Sequence, residues 1–173
     1  MPEKYFILIW LPTLFMLHDF EEIILLKAWI QHNSAYLLAR FPRLGQRIIQ
    51  HFENFSTASF GLGVAEEFLI VTLITMGALL NPAWLLLWFG TFMAFTLHLV
   101  YHILTALILR RYVAASATSL AFLPVCIFLL VRFLALYPFG AMGLVLWSIL
   151  AFVIVVTNLA FLHTILIPKF NRL

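Results

Sequence analysis

Five stretches of this chain stay apolar for about twenty residues or more, at about 5–30, 57–80, 84–109, 118–137 and 142–167. Twenty residues of α-helix rise about 30 Å, the thickness of the hydrocarbon core of a bilayer. No water reaches a backbone inside that slab, so its N–H and C=O groups must bond within the segment, which selects the helix. The expected fold is all-α: a single polytopic membrane helix bundle covering 1–173, with about five transmembrane helices. Composition supports this. Of 173 residues, 65% are hydrophobic and 10% charged, against about 25% charged in an ordinary soluble domain. Asn81-Pro82 and Tyr137-Pro138-Phe139-Gly140 read as tight turns, because proline cannot continue the helical ladder.

The one long connection, 31–56, reads as an interfacial segment. Asn33 or Ser34 is placed to cap a helix, Pro42 to break it, and Arg43 to Phe55 to restart it. Leu44, Ile48, Phe52 and Phe55 recur at helical spacing, with Arg43, Arg47 and His51 on a neighbouring face, the pattern of a helix lying in the headgroup layer. If the spans alternate, Lys27, Arg40, Arg43, Arg47, Arg110, Arg111, Lys169 and Arg172 share one side, and Lys4 lies on the other. The positive-inside bias then places the N-terminus outside and the C-terminus in the cytoplasm, as expected of a bacterial inner-membrane protein. The start of the chain reads as an uncleaved first span. Arg132 would snorkel or pair. Thr57, Gly61 and Ala65 form a small-residue ridge suited to close packing of the second span. A net charge of +3, dispersed along the chain, gives no nucleic-acid surface, and the single Cys126 allows neither an intrachain disulfide nor a thiolate metal cluster.

Against this apolar background, His18-Asp19-Phe20-Glu21-Glu22 is costly, at roughly 2.5–3.5 kcal/mol for each charge at a helix centre. Other spans carry Glu66 and Glu67, His98 and His102, and Asn158 and His163. Counted from the cytoplasmic ends at 1.5 Å per residue, these lie about 6–16 Å deep. They form one polar layer in the inner half of the membrane. His18 shares a helix face with Glu21 and Glu22, and His98 and His102 stand four apart, the spacing that lets two imidazoles reach one metal. Adjacent glutamates differ by about 100° around a helix, so one of each pair can face the site.

No lysine or arginine lies at that depth to balance the acids; Lys27 is more than a turn nearer the cytoplasm. The carboxylates must therefore take up protons or hold cations. Histidine and glutamate without thiolate suit zinc, iron or manganese. The metal ligands expected are His18, Glu22, Glu66, Glu67, His98, His102 and His163, around one or two divalent ions. Glu21, Glu22 and Glu67 are the candidates for proton transfer. Asn158 reads as an interhelical hydrogen bond, and His32 and His51 as surface residues.

His18-Asp19-Phe20-Glu21-Glu22 resembles the H-x-x-E-E signature of the HXXEE family of small bacterial membrane proteins. That resemblance implies an integral membrane enzyme of unassigned reaction, with His18, Glu21 and Glu22 as motif residues and His98, His102 or His163 as further characteristic histidines. A partial likeness to the CPBP-type intramembrane glutamate proteases fails in detail: no arginine follows Glu66-Glu67, and Phe95 precedes His98 by three residues rather than four. The His98-x-x-x-His102 pair is also similar to membrane zinc amidases of the alkaline ceramidase kind. The leading expectation is a membrane metalloenzyme that hydrolyses or oxidises a lipid-like or hydrophobic small molecule. The alternatives are a metal-ion or proton transporter, and a non-enzymatic membrane subunit. A homo-oligomer is compatible with the composition.

Overall fold

The computed structural model describes residues 3–53 and 55–170. It contains six helices: α1 (Trp10–Arg40), α2 (Pro42–Glu53), α3 (Thr57–Leu80), α4 (Leu85–Leu109), α5 (Ser116–Leu136) and α6 (Ala141–Phe161). A helical turn, Glu3–Phe6, precedes α1, and a 3-10 turn, Pro82–Trp84, leads into α4. A π turn, Leu162–Leu166, carries α6 on to a last helical turn, Ile167–Phe170. No strand occurs among the described residues. Four helical stretches are long and apolar enough to cross a membrane: Thr57–Leu80, Pro82–Leu109, Ser116–Leu136 and Ala141–Phe170. α1, expected as a fifth span, has the length at 31 residues, but its acidic run and Lys27 set its composition apart. Arg172, part of the charge argument for orientation, lies outside the described residues.

Prolines and freed carbonyls account for the helix boundaries. Pro12 sits in the first turn of α1, where a missing N–H costs least. The Leu8 carbonyl that residue 12 would otherwise have bonded accepts instead from the buried Trp88 indole at 3.2 Å. α1 does not end near residue 30. It runs on to Arg40 because Asn33 and Ser34 bond back to Trp29 and Gln31 of their own helix rather than capping a new one. Phe41-Pro42 makes the break. The π turn comes just before Pro168, whose ring and absent N–H disturb the regular ladder behind it.

α4 is the central helix, packed along α5 and α6, while α1 packs on α2, α3 and α5. The main core gathers Leu8, Leu11, Leu14, Trp88, Phe92 and Phe133, with others, near the N-terminal half of α1. α1 and α4 run parallel: Leu8 meets Trp88, Phe15 meets Phe95, and His18 meets His98, each pair 80 positions apart. At one end of the bundle the Arg111 guanidinium lies over the Tyr36 ring at 4.0 Å and His51 meets His163. At the other end Arg132 pairs with Glu3, Nε to Oε1 at 3.0 Å. That pair is half-exposed and adds little stability.

One packing expectation changes. The Thr57–Gly61–Ala65 ridge does not mediate close packing. Thr57 and Ala65 are exposed, and a Cβ at Gly61 would meet nothing within 4 Å. On α2, Leu44 is 56% exposed. The packed face is turned toward Gly45 and Ile49, which lie against α1 and the end of α4 near Leu37, Leu109 and Val113. Among the glycines the tightest approach is at Gly90 of α4, where a Cβ would stand 2.4 Å from the Trp147 carbonyl oxygen and 2.9 Å from Ala151 Cβ. Gly90→Ala is expected to destabilise the bundle by about 1–3 kcal/mol. Gly61→Ala is expected to be neutral, or stabilising by about 0.5–1 kcal/mol. Unfolding of the two variants in detergent checks the contrast.

Candidate metal centre

His18 and Glu22 project from α1, and His98 and His102 from α4. Each offers one ligand atom, and the four atoms lie within 4.8 Å of one another. His98 Nε2 and His102 Nε2 are 3.0 Å apart, and His102 Nε2 is 3.9 Å from Glu22 Oε2. Two ligands on a tetrahedral ion, each about 2.1 Å from it, stand roughly 3.4 Å apart, so the two measured gaps bracket the required one. His18 and His102 are buried, while Glu22 and His98 are partly so.

Thr118 fixes the orientation of His18. Its hydroxyl lies 3.3 Å from the Ala115 carbonyl, its acceptor, and 3.0 Å from His18 Nδ1. When the hydroxyl gives its one proton to the carbonyl it accepts from the ring, and Nδ1 then carries the imidazole proton. That leaves a lone pair on Nε2, which is buried and has no hydrogen-bond partner. The ring packs against His98 and His102, with centroids 5.3 and 5.2 Å away. Metal-ligating histidines are commonly held in this way, through the ring nitrogen that does not bind the ion.

The remaining predicted residues divide into three groups. Glu67 lies close enough to Asp19 and Glu22 to act electrostatically on both. Asp19 is buried, with Oδ2 unpartnered. Glu66 accepts from the Asn158 amide at 3.0 Å, so Asn158 joins α6 to α3 as an interhelical bond. His163 is not brought to the cluster. It stacks on His51, ring planes 10° apart, among Phe52, Phe55 and Phe60.

Glu21 holds the start of α5. Ala115, at the cap position, is in the left-handed region at φ 69° and has no side chain to cap with. Glu21 reaches across from α1 in its place, accepting from Thr118 N at 2.7 Å and Ala117 N at 3.3 Å. A carboxylate at a helix N-terminus satisfies orphan donors and meets the positive end of the dipole. Tyr112 also donates its hydroxyl to Glu21. Desolvation first, and then the bond to Glu21, hold that phenol above its ordinary range.

A family model described as a protein of unknown function with HXXEE motif matches residues 9–129. The chain belongs to the HXXEE family. Within the HXXEE motif the structure separates two acids that sequence alone leaves equivalent: Glu22 joins the histidines and Glu21 caps α5. The matched range contains all four clustered residues, Glu66, Glu67 and Thr118; Asn158 and His163 lie beyond it. Comparison with curated proteins and with solved structures finds no match. Sequence reasoning missed Thr118, Tyr112 and the His51 partner of His163. A threonine at the start of a span carries no signal of its own, and only the fold brings it beneath His18. Glu21→Ala is expected to lower stability by about 1–2 kcal/mol, and Glu21→Gln by less because the amide oxygen still accepts. Both effects are read from unfolding in detergent.

Proposed function

We propose that this HXXEE protein is an integral membrane metalloenzyme. Its His18, His98, His102 and Glu22 would hold a divalent cation, zinc or iron. The observation that carries this reading is the set of four ligand atoms within 4.8 Å, with the His18 Nε2 lone pair buried and unpartnered. Three neutral imidazoles and one carboxylate are a suitable donor set for either metal. A cation would also offset the charge of Glu22, Asp19 and Glu67. A bound ion would supply Lewis-acid activation of water, or of dioxygen if it is iron.

The protein's own groups would do the rest. Glu22 would act at the metal, and Glu67, which acts on it electrostatically, would take protons from it and return them. With Asp19 added, a second cation is the dinuclear form of the same reading. Thr118 would hold His18 in its ligating tautomer. The substrate would be a lipid-like or hydrophobic small molecule, since the site opens within a bundle whose outer surface is apolar. Lys27, Arg110, Arg111 and Lys169, which share one side if the spans alternate, support an orientation with the N-terminus outside.

Transport of protons or metal ions through the same layer is less well supported. Toward the N-terminal side of the cluster, Phe15, Phe92, Phe95, Trp88 and Phe133 fill the interior. Beside that aromatic packing the buried threonines Thr75, Thr91 and Thr96 offer only isolated hydroxyls, with no buried carboxylate or imidazole on that side among the described residues.

Protein purified without added metal is expected to hold about one zinc or iron per chain by elemental analysis. His102→Ala should abolish that content, and Glu66→Gln should leave it unchanged. Thr118→Val should weaken metal affinity about 10–100-fold. Zinc would direct the search to hydrolysis and iron to oxidation. A chain free of transition metal when intact and folded would overturn the proposal.

A further inference from the structure

A cavity lies at the end of the bundle where α4 stops and α5 begins. It is an open cleft of about 540 Å³. Ile103, Ala106, Leu107 and Leu120 form its apolar part, and Arg110 and Arg111 stand at its rim. Leu107 and Leu120 are 66% and 69% exposed, so in a bilayer the cleft opens sideways to lipid.

The two arginines have no carboxylate partner among the described residues. Arg111 is held in place by the Tyr36 ring and by Asn33, whose Oδ1 lies 3.5 Å from Nη1. Arg110 occupies a left-handed conformation, φ 51°, as it ends α4. The nearby carboxylate, Glu21, is taken up by donors from Tyr112, Ala117 and Thr118. Two guanidinium groups at the membrane surface above an apolar groove match one ligand chemistry: a phosphate head with a hydrocarbon chain below it. Tyr112 also lines the cleft and touches Glu21, and Glu21 and His18 share Thr118. A ligand here would sit against the outer wall of the metal centre.

We propose that this cleft binds an anionic phospholipid, its phosphate on Arg110 and Arg111 and one chain along Ile103, Leu107 and Leu120. As a lipid site it stands on its own geometry. As the place where substrate is presented to the metal, it rests on the reading proposed above, and makes that substrate phosphate-bearing.

The test uses the purified full chain in a maltoside detergent, titrated with short-chain phosphatidylglycerol, short-chain phosphatidylcholine and inorganic phosphate. Phosphatidylglycerol is expected to bind about tenfold or more tighter than either of the others. Arg110→Gln with Arg111→Gln should remove that preference, while Arg43→Gln with Arg47→Gln on α2 should keep it within about twofold. Leu120→Trp fills the groove without altering charge and should also weaken binding, which preserves the test if the arginine pair variant fails to fold. Equal loss in both arginine pairs, equal affinity for phosphatidylcholine, or inorganic phosphate binding as tightly as the lipid would overturn the proposal. Metal content measured on the same samples separates the two readings: lipid selectivity absent while metal is present counts against the cleft alone, and the reverse counts against the metal centre alone.

Discussion

An imidazole nitrogen with a lone pair and no partner is expensive in an apolar interior, and so is a buried carboxylate oxygen. This chain buries one of each, at His18 Nε2 and Asp19 Oδ2. Much of the surrounding architecture holds that arrangement in place. Thr118 anchors one side of the His18 ring, Glu21 fixes the helix that carries Thr118, and α4 brings two further imidazoles opposite. Once hydrogen bonds have oriented the ring, its remaining lone pair still lacks a positive partner, which a bound cation would supply. The coordination chemistry and the packing therefore address the same energetic deficit.

The fold was largely legible because a bilayer allows few solutions. Hydrophobic length alone places α3 at Thr57–Leu80 and α4 and α5 to within about two residues of their ends. The second half of α1 was not legible. Asn33 and Ser34 have the chemistry of helix caps, but each also has a carbonyl of its own helix within reach, and the tertiary contacts of Trp29 and Tyr36 with Tyr112 and Leu109 favour the continuous helix. The small-residue ridge on α3 misled for a similar reason. Small size permits close approach, but which face is approached is decided by the neighbours, and the tightest approach among the glycines falls at Gly90.

The candidate site was half legible. Spacing places His98 over His102, and His18 over Glu22, because helical period is a local property. Depth in the membrane places the two pairs at one height. Which of Glu21 and Glu22 turns inward depends on the rotation of α1 against α5, and that is set by a left-handed Ala115 unable to cap its own helix. His163, about 6 Å in from the cytoplasmic end by residue count, is the shallowest of the set. The fold places it against His51 and a group of phenylalanines, where α2 meets the end of α6.

The parallel course of α1 and α4 has a mechanical consequence. Their constant offset is pinned by the indole that bonds the carbonyl left over by Pro12, ten residues or about 15 Å along the axis from His18. Sliding either helix by one turn would break that bond and draw His18 away from His98 and His102 together. The tryptophan therefore works as a depth gauge: from deep within dry aromatic packing it sets how far apart the nitrogens stand at the other level, without touching any of them.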